Sequence, residues 1–243
     1  MATVVTGGAA GLGRVVAEEL ATRGHRLVLL DRDPEALATT GADLGARHGT
    51  PVRTVVADLS TPSGTGAAGE ELTRHADIGA LVNLAGGWLP GVQYPEAAPE
   101  TWLSALHLNL VAPMLLTQLL WPRLAAARGA VVNVGSSGGL GEEAYGSPEY
   151  GAAKAGLHRF TGSLAARHDV RVMAVVPGWI GLERAHRERA ALSEDERRVL
   201  PALVPPVDVA RAVATLLESG RAGQVVLMLE GEPSSRRGPS ADP

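Results

Sequence analysis

The apolar residues of this chain gather in short runs that alternate with stretches of helical periodicity. Most of the runs are continuous rather than alternating with polar residues, as expected of strands that are covered on both faces. They predict strands at residues 3–6, 26–30, 52–57, 80–83, 130–134, 170–176 and 224–229. The segments between these strands have the apolar spacing of helices. The first is a stripe of Leu12, Val15, Val16 and Leu20, which ends at Gly24. The others are residues 34–48, 63–75, 98–127, 148–167 and 206–219.

The regular alternation of strands and helices predicts one α/β domain. Parallel strands need a crossover between them, and helical crossovers cover both faces of the sheet. We therefore expect a single-domain doubly wound (Rossmann) parallel sheet of about seven strands within residues 1–233. Residues 180–203 are charged and poor in core-type side chains, which predicts a mobile substrate lid. Residues 234–243 are expected to form a disordered tail.

The composition excludes several classes of protein. The 243 residues include no Cys, which excludes disulfides, thiolate metal sites and a Cys nucleophile. The 7 His are dispersed without metal-ligand spacing, and the formal net charge of −4 provides no basic surface for nucleic acid.

The charge pattern also bears on membranes. Residues 103–122 carry no charged side chain but contain several polar ones, which predicts a mostly buried helix rather than a membrane span. The first residues show no signal-peptide pattern, so the chain is expected to be cytoplasmic, with neither nucleic-acid nor membrane partners.

A glycine-rich loop joins the first predicted strand to the first predicted helix. Residues 6–13 read Thr-Gly-Gly-Ala-Ala-Gly-Leu-Gly, a G-x-x-x-G-x-G spacing, and Arg14-Val15 excludes a P-loop. Such a turn at a helix N-terminus offers backbone N–H groups and a favourable dipole to a phosphate. A pyrophosphate cradle is therefore predicted at Gly7, Ala10, Gly11, Leu12 and Gly13.

Acidic residues follow the second and third predicted strands. Asp31 stands where a carboxylate accepts hydrogen bonds from an adenosine ribose and repels a 2′-phosphate, which favours NAD. Arg32 beside it offers a grip on the 2′-phosphate of NADP, the alternative cofactor. Asp58 is placed either to meet the adenine amino group or to begin the next helix together with Ser60.

A tyrosine and the single lysine form the most specific motif. Of the 22 Lys and Arg residues only Lys154 is a lysine, and it follows Tyr150 at an i, i+4 spacing that places both on one helix face. A phenol titrates near pH 10, and an adjacent cation favours phenolate and lowers that pKa. The pair therefore predicts an acid/base tyrosine tuned by an ammonium group.

Together these residues resemble the classical short-chain dehydrogenases/reductases, over residues 2–231. The resemblance rests on the glycine loop and on the Tyr150-x-x-x-Lys154 motif. It extends to the elements Asp58-Leu59, Asn83-Leu84-Ala85-Gly86, Asn109, Asn133-Val134-Gly135-Ser136 and Pro177-Gly178.

The resemblance implies an NAD(P)-dependent oxidoreductase that transfers hydride between nicotinamide and a secondary alcohol or ketone. Tyr150 would exchange a proton with the substrate oxygen, which Ser136 would also hydrogen-bond. Lys154 would lower the pKa of Tyr150 and hold the nicotinamide ribose, and Asn109 would bind a water of a proton relay. Position relative to Asn133 favours Ser136 as the catalytic serine, whereas the family's spacing to Tyr150 makes Ser137 the alternative. Further cofactor contacts are implied for Asp58, Leu59, Asn83, Ala85, Gly86, Pro177, Gly178 and Ile180.

The resemblance also implies a substrate pocket and an oligomer. Ser136 and Tyr150 would form the pocket floor, and the aromatic side chains near it suggest a medium-sized hydrophobic alcohol or ketone. Its walls are expected to include Trp88, Leu140, Tyr145, Trp179 and the 180–203 segment. The helices at 98–127 and 148–167 carry more apolar surface than one sheet face needs, so a homodimer or homotetramer is expected through them.

Two other functions are weighed against this one. The sequence around Ser137 also fits G-x-S-x-G, the nucleophile elbow of an α/β-hydrolase, with Asp169 and His186 in the right order for a triad. That hypothesis leaves the glycine loop and the Tyr150–Lys154 pair unexplained. A non-catalytic dinucleotide-binding sensor or scaffold would keep the loop without the chemistry, and the intact set of catalytic side chains argues against it.

Overall fold

Eight strands form the centre of the described structure, a computed structural model that describes residues 1–74, 77–141, 145–229 and 234–236. The first seven strands match the predicted ones to within two residues at each end. Their bounds are Ala2–Thr6 (β1), Arg26–Asp31 (β2), Val52–Val56 (β3), Ile78–Asn83 (β4), Ala130–Val134 (β5), Arg171–Pro177 (β6), Val225–Met228 (β7) and Ser234–Arg236 (β8).

Helices occupy the intervals that the periodicity predicted, and two more lie within the predicted lid at residues 180–203. Several begin with a proline in the first turn, where the missing N–H costs no intrahelical hydrogen bond. Their bounds are Gly11–Thr22 (α1), Pro34–His48 (α2), Pro62–Thr73 (α3), Pro99–Leu106 (α4), Ala112–Ala126 (α5), Pro148–Ser163 (α6), Glu183–Ala190 (α7), Glu194–Val199 (α8) and Pro206–Ser219 (α9).

The strands form one sheet in the order β3-β2-β1-β4-β5-β6-β7-β8. β1 to β7 are parallel. Helices cover both faces: Val5 belongs to the core cluster with α1 and α9, and its neighbour Val4 to the cluster with α3 and α5. The predicted doubly wound parallel sheet is confirmed. Because β1 lies between β2 and β4, the strand order reverses beside it, which is where such sheets bind ligands.

The end of the chain departs from the prediction. Residues 234–236, assigned to a disordered tail, form the strand β8, which pairs antiparallel with β7. The pairing places Ser234 opposite Leu227 and Arg236 opposite Val225, so main-chain hydrogen bonding at the sheet edge orders this part. The remainder of the predicted tail, 237–243, lies outside the described residues.

The helix predicted at 98–127 is interrupted by a π-helical turn at His107–Val111, between α4 and α5. Residues 99–126 are long and apolar enough to cross a membrane by length and composition alone. In this fold one face of α5 packs on the sheet, where Leu116, Leu120 and Leu124 are fully buried.

The predicted lid at 180–203 contains α7 and α8, and its mobility stays a prediction.

Candidate active site

A cleft of about 710 Å³ opens at the carboxyl ends of β1, β4, β5 and β6. The parallel register brings the segment after each of these strands to the same edge of the sheet. Thr6 ties two of them together, since its hydroxyl oxygen accepts hydrogen bonds from the Leu84 and Ala85 N–H groups at 2.9 Å. The cleft therefore collects the predicted glycine loop, the segment after β4 and the predicted catalytic residues.

The glycine loop forms the floor of one end of the cleft, and all five predicted cradle residues line it: Gly7, Ala10, Gly11, Leu12 and Gly13. Gly7 and Gly11 have positive φ angles of 69° and 52°, which favour glycine. A Cβ on Gly13 would lie 1.8 Å from the Gly7 carbonyl oxygen, so α1 can start this close to the loop only without a side chain there. The first N–H groups of α1 have no intrahelical acceptor and are available to an anion.

A second cavity of about 250 Å³ adjoins the cleft beside the ends of β2 and β3. The two share Gly7 and the residues after β4, so they form one continuous binding region. The second cavity is lined by the residues that were predicted to meet an adenosine: Asp31, Arg32, Asp58 and Leu59. An elongated dinucleotide fits this arrangement, with a glycine-rich cradle in the middle and polar groups at one end.

The two carboxylates of this cavity are held differently. Asp31 accepts hydrogen bonds from the backbone N–H groups of Ala9 at 3.2 Å and Arg32 at 2.8 Å, which fixes its carboxylate against the glycine loop. Asp58 accepts from the Ser60 N–H at 2.9 Å, and its hydrogen bonds with Ser60 hold the pKa of this carboxyl below its usual range. Asp58 therefore both lines the cavity and stabilises the turn before α3.

Ser136, Tyr150 and Lys154 meet at the other end of the cleft. Ser136 lies close enough to the Tyr150 phenol for its side chain to lower the pKa of that phenol, whereas Ser137, which also lines the cleft, is exposed. Burial raises the pKa of Tyr150, whereas the Ser136 hydrogen bond and the charge of Arg184 lower it. The Ser136 hydroxyl oxygen accepts from the Gly138 N–H at 3.2 Å, so its proton remains free to be donated.

Lys154 lies beneath this group with only 4% of its surface exposed. Its ammonium donates to the Val134 carbonyl at 3.0 Å and lies 5.7 Å from the centroid of the Tyr150 ring. Burial lowers the pKa of Lys154 to about 8. The predicted lowering of the tyrosine pKa by this lysine stays a prediction, because the influences on Tyr150 here are burial, Ser136, Tyr145 and Arg184.

Asn109 is fully buried within the π-helical turn. Its side-chain oxygen accepts from the Gly87 N–H at 2.9 Å, and its amide donates to the carbonyls of Gly87 at 3.2 Å and Ala105 at 3.0 Å. Both hydrogens of its side-chain amide are thus used by main-chain carbonyls, and the predicted role of Asn109 in holding a water of a proton relay stays a prediction.

The prediction that Asn83 contacts a cofactor is wrong for its side chain. Asn83 lies below the cleft, where its amide donates to Asn133 Oδ1 at 2.8 Å and Thr117 Oγ1 at 3.1 Å. Asn133 in turn donates to Thr161 at 2.9 Å. These side chains face the helices that cover the sheet, so they join β4 and β5 to α5 and α6. The other predicted contact residues line the binding region: Ala85, Gly86, Pro177, Gly178 and Ile180.

The predicted substrate residues also line the cleft. Trp88, Tyr145 and Trp179 lie in its wall, and the Tyr145 ring stacks on Tyr150 with 5.8 Å between centroids. Leu140 does not line it. The 180–203 segment, also expected in the wall, contributes Leu182, Arg184 and Ala185. The sequence did not single out Arg184 of α7, whose guanidinium lies 5.4 Å from the centroid of the Trp88 ring. Within the described lining only Arg184 and Lys154 are charged, and both are cations.

The residues of the alternative hydrolase triad do not meet. Asp169 precedes β6 and accepts hydrogen bonds from Trp121 at 2.8 Å and Arg167 at 2.9 Å. Ser137 follows the carboxyl end of the parallel strand β5, so the two residues lie at opposite edges of the sheet. Among the described residues Ser137 therefore has no Ser–His–Asp arrangement with Asp169, and the hydrolase alternative is wrong.

Comparisons with known proteins agree with this geometry. A family model described as short chain dehydrogenase matches residues 1–193. Carbonyl reductase family member 4 of Danio rerio is 36% identical over 236 residues, covering 94% of this chain and 95% of the relative. The 3-oxoacyl-[acyl-carrier-protein] reductase of Mus musculus is 32% identical over 233 residues, covering 93% and 95%. A short-chain dehydrogenase from Sphingobium yanoikuyae, solved in complex with NADPH, has a TM-score of 0.79 and 29% identity over 94% of this chain and 87% of that one.

Proposed function

Because the chain belongs to the short-chain dehydrogenase family of oxidoreductases, we propose that it transfers hydride between NAD(P) and a secondary alcohol or ketone. The observation that carries this proposal is the meeting of Ser136, Tyr150 and Lys154 at one end of a cleft whose other end is a glycine-rich phosphate cradle. A sensor or scaffold needs only the cradle, so the buried lysine beside the tyrosine favours an enzyme.

The residues of the cleft fit a nicotinamide dinucleotide, which, when bound, supplies or accepts the hydride. In carbonyl reduction Tyr150 donates its proton to the substrate oxygen, and the free proton of Ser136 forms a second hydrogen bond to that oxygen. The buried ammonium of Lys154 favours the phenolate that remains after this transfer. In alcohol oxidation the same groups act in reverse.

The relatives suggest where to look for a substrate. Those named carbonyl reductase and 3-oxoacyl-[acyl-carrier-protein] reductase favour the reductive direction. The aromatic wall of Trp88, Tyr145 and Trp179 favours a medium-sized hydrophobic ketone. The test is oxidation of NADH or NADPH with 3-oxoacyl thioesters and a panel of hydrophobic ketones. Tight cofactor binding without turnover of any of them would support the sensor alternative instead.

We propose NAD as the preferred cofactor, because Asp31 fixes a carboxylate where the adenosine ribose is expected. Asp31→Ser is expected to raise the ratio of kcat/KM for NADPH to that for NADH by about 10-fold or more, since repulsion of the 2′-phosphate is removed. Steady-state kinetics with both cofactors measures the ratio.

Two further variants sharpen this measurement. Glu35→Gln removes an exposed carboxylate nearby in α2 and is expected to leave the ratio unchanged. Arg32→Ala would raise the KM for NADPH selectively if Arg32 binds the 2′-phosphate. A wild-type preference for NADPH that Asp31→Ser does not alter would refute the proposed role of the carboxylate.

A homo-oligomer through α5 and α6 is also proposed. An apolar groove of about 570 Å³ runs between these helices and is lined by Val111, Met114, Leu115, Trp121, Phe160 and Leu164, among others. Val111 and Met114 are 42% and 41% exposed, and a second copy would cover them. The double variant Val111→Glu, Met114→Glu is expected to sediment as a monomer, whereas the wild type sediments as a dimer or tetramer. A monomeric wild type would contradict the proposal.

A further inference from the structure

His158 lies one turn after Lys154 on α6, directly behind the strand end that carries the active-site serine. The Ser136 backbone N–H donates to His158 Nε2 at 3.3 Å. Gly135 permits this approach, because a Cβ there would lie 2.3 Å from the same ring nitrogen. The imidazole is thus packed against the main chain on the side of Ser136 away from the cleft.

The Ser136 hydrogen bond requires a lone pair on Nε2, so it forms only with the neutral ring whose proton is on Nδ1. Nδ1 is buried and has no hydrogen-bond partner among the described residues. Burial lowers the pKa of His158 to about 4, the Gly139 backbone opposes this, and the charge of Lys154 adds to it. The ring therefore remains a neutral acceptor across the range in which Tyr150 and Lys154 titrate.

Two anchors then define the position of Ser136. His158 holds its backbone nitrogen, and the Gly138 N–H holds its hydroxyl oxygen, which leaves the hydroxyl proton free to be donated into the cleft. The first anchor comes from the same helix that carries Tyr150 and Lys154. We propose that His158 is a positioning residue that fixes the active-site serine relative to the acid/base tyrosine. The proposal rests on the proposed hydride-transfer function and adds a residue to its machinery.

The test compares two substitutions of His158. His158→Leu keeps a side chain of moderate size but removes the hydrogen-bond acceptor. His158→Gln retains an acceptor, the side-chain oxygen. His158→Leu is expected to lower kcat by about 10- to 100-fold, because a serine displaced by a fraction of an ångström weakens the transition-state contact. The cofactor Kd is expected to stay at the wild-type value, and His158→Gln is expected to restore part of kcat.

The pH profile separates positioning from a general loss of structure. The Ser136 hydrogen bond lowers the pKa of Tyr150, so a loosened serine raises it and moves the rising limb of alcohol oxidation to higher pH. Among the described residues, the other charged or titratable groups around the phenol are Tyr145 of the preceding loop, Arg184 of α7 and Lys154 of α6, and all are retained. His158 itself does not account for the shift, because its pKa lies far below this range.

A double-mutant cycle completes the test. If His158 acts through the serine, His158→Leu has little further effect on kcat in a Ser136→Ala background. Wild-type kcat and pH profile in His158→Leu would overturn the proposal, as would equal losses in both backgrounds. If His158→Leu does not fold, His158→Gln replaces it, and its kcat is measured alone and in the Ser136→Ala background to decide whether His158 acts through the serine. Absence of turnover in the wild type would instead refute the proposed function.

Discussion

Tyr150→Phe is expected to lower kcat by about 10²- to 10⁴-fold while cofactor binding remains close to that of the wild type. The phenol oxygen is the group placed to exchange a proton with a substrate oxygen, and the ring that lines the cleft is kept in Phe. Burial raises the pKa of Tyr150, so the wild-type phenol remains protonated at neutral pH and is ready to act as the acid in reduction.

The measurement is NAD(P)H oxidation with the best substrate of the panel, beside fluorescence titration with the cofactor. Tyr94→Phe is the matched control, because Tyr94 is 54% exposed and does not line the cleft. It is expected to retain wild-type kcat. Activity of Tyr150→Phe within a factor of about three of the wild type would exclude the tyrosine as the acid/base.

Lys154→Arg is expected to lower kcat by about 100-fold or more. The ammonium lies between the Val134 carbonyl and the main chain at Gly86, a space that suits a compact cation better than a planar guanidinium. The reciprocal change Arg159→Lys, at an exposed position of the same helix, is the control and is expected to have no effect on kcat. Wild-type activity in Lys154→Arg would show that any cation serves at this position.

The buried lysine also predicts a pH-dependent stability. The pKa of Lys154 is about 8 in the folded chain and 10.5 when unperturbed, so between these values the unfolded state binds more protons than the folded state. Stability therefore rises with pH across this window, by up to about 3 kcal/mol. Denaturant unfolding of Tyr150→Phe with and without Lys154→Met measures this contribution without the titration of the phenol. A constant difference from pH 8 to 10.5 would contradict it.

The sheet and the cradle were predictable because local sequence determines both. Strands buried on both faces are continuous apolar runs, and the glycines of residues 6–13 are required by positive φ angles and by the contact of Gly13 with Gly7. The Tyr150–Lys154 pair was predictable for the same reason, since the helical repeat alone places the two side chains on one face.

Other features depend on how distant elements approach each other. An asparagine after a strand gives the same sequence signal whether it faces a cleft or the core, which is why Asn83 was misassigned. Arg184 reaches the cleft only because α7 folds over Trp88, and His158 reaches Ser136 only because α6 packs behind β5. The strand β8 depends on an exposed edge of β7, which no local pattern of residues 234–236 indicates.

The scarcity of lysine has a practical consequence for labelling this protein. Lys154 provides the only ε-amino group of the sequence, and it lies 4% exposed at the base of the cleft. Amine-reactive reagents therefore have one side-chain target here, besides the α-amino group of the exposed Met1, and a bound cofactor would shield it. The extent of modification at Lys154, located by peptide mapping, reports on occupancy of the active site.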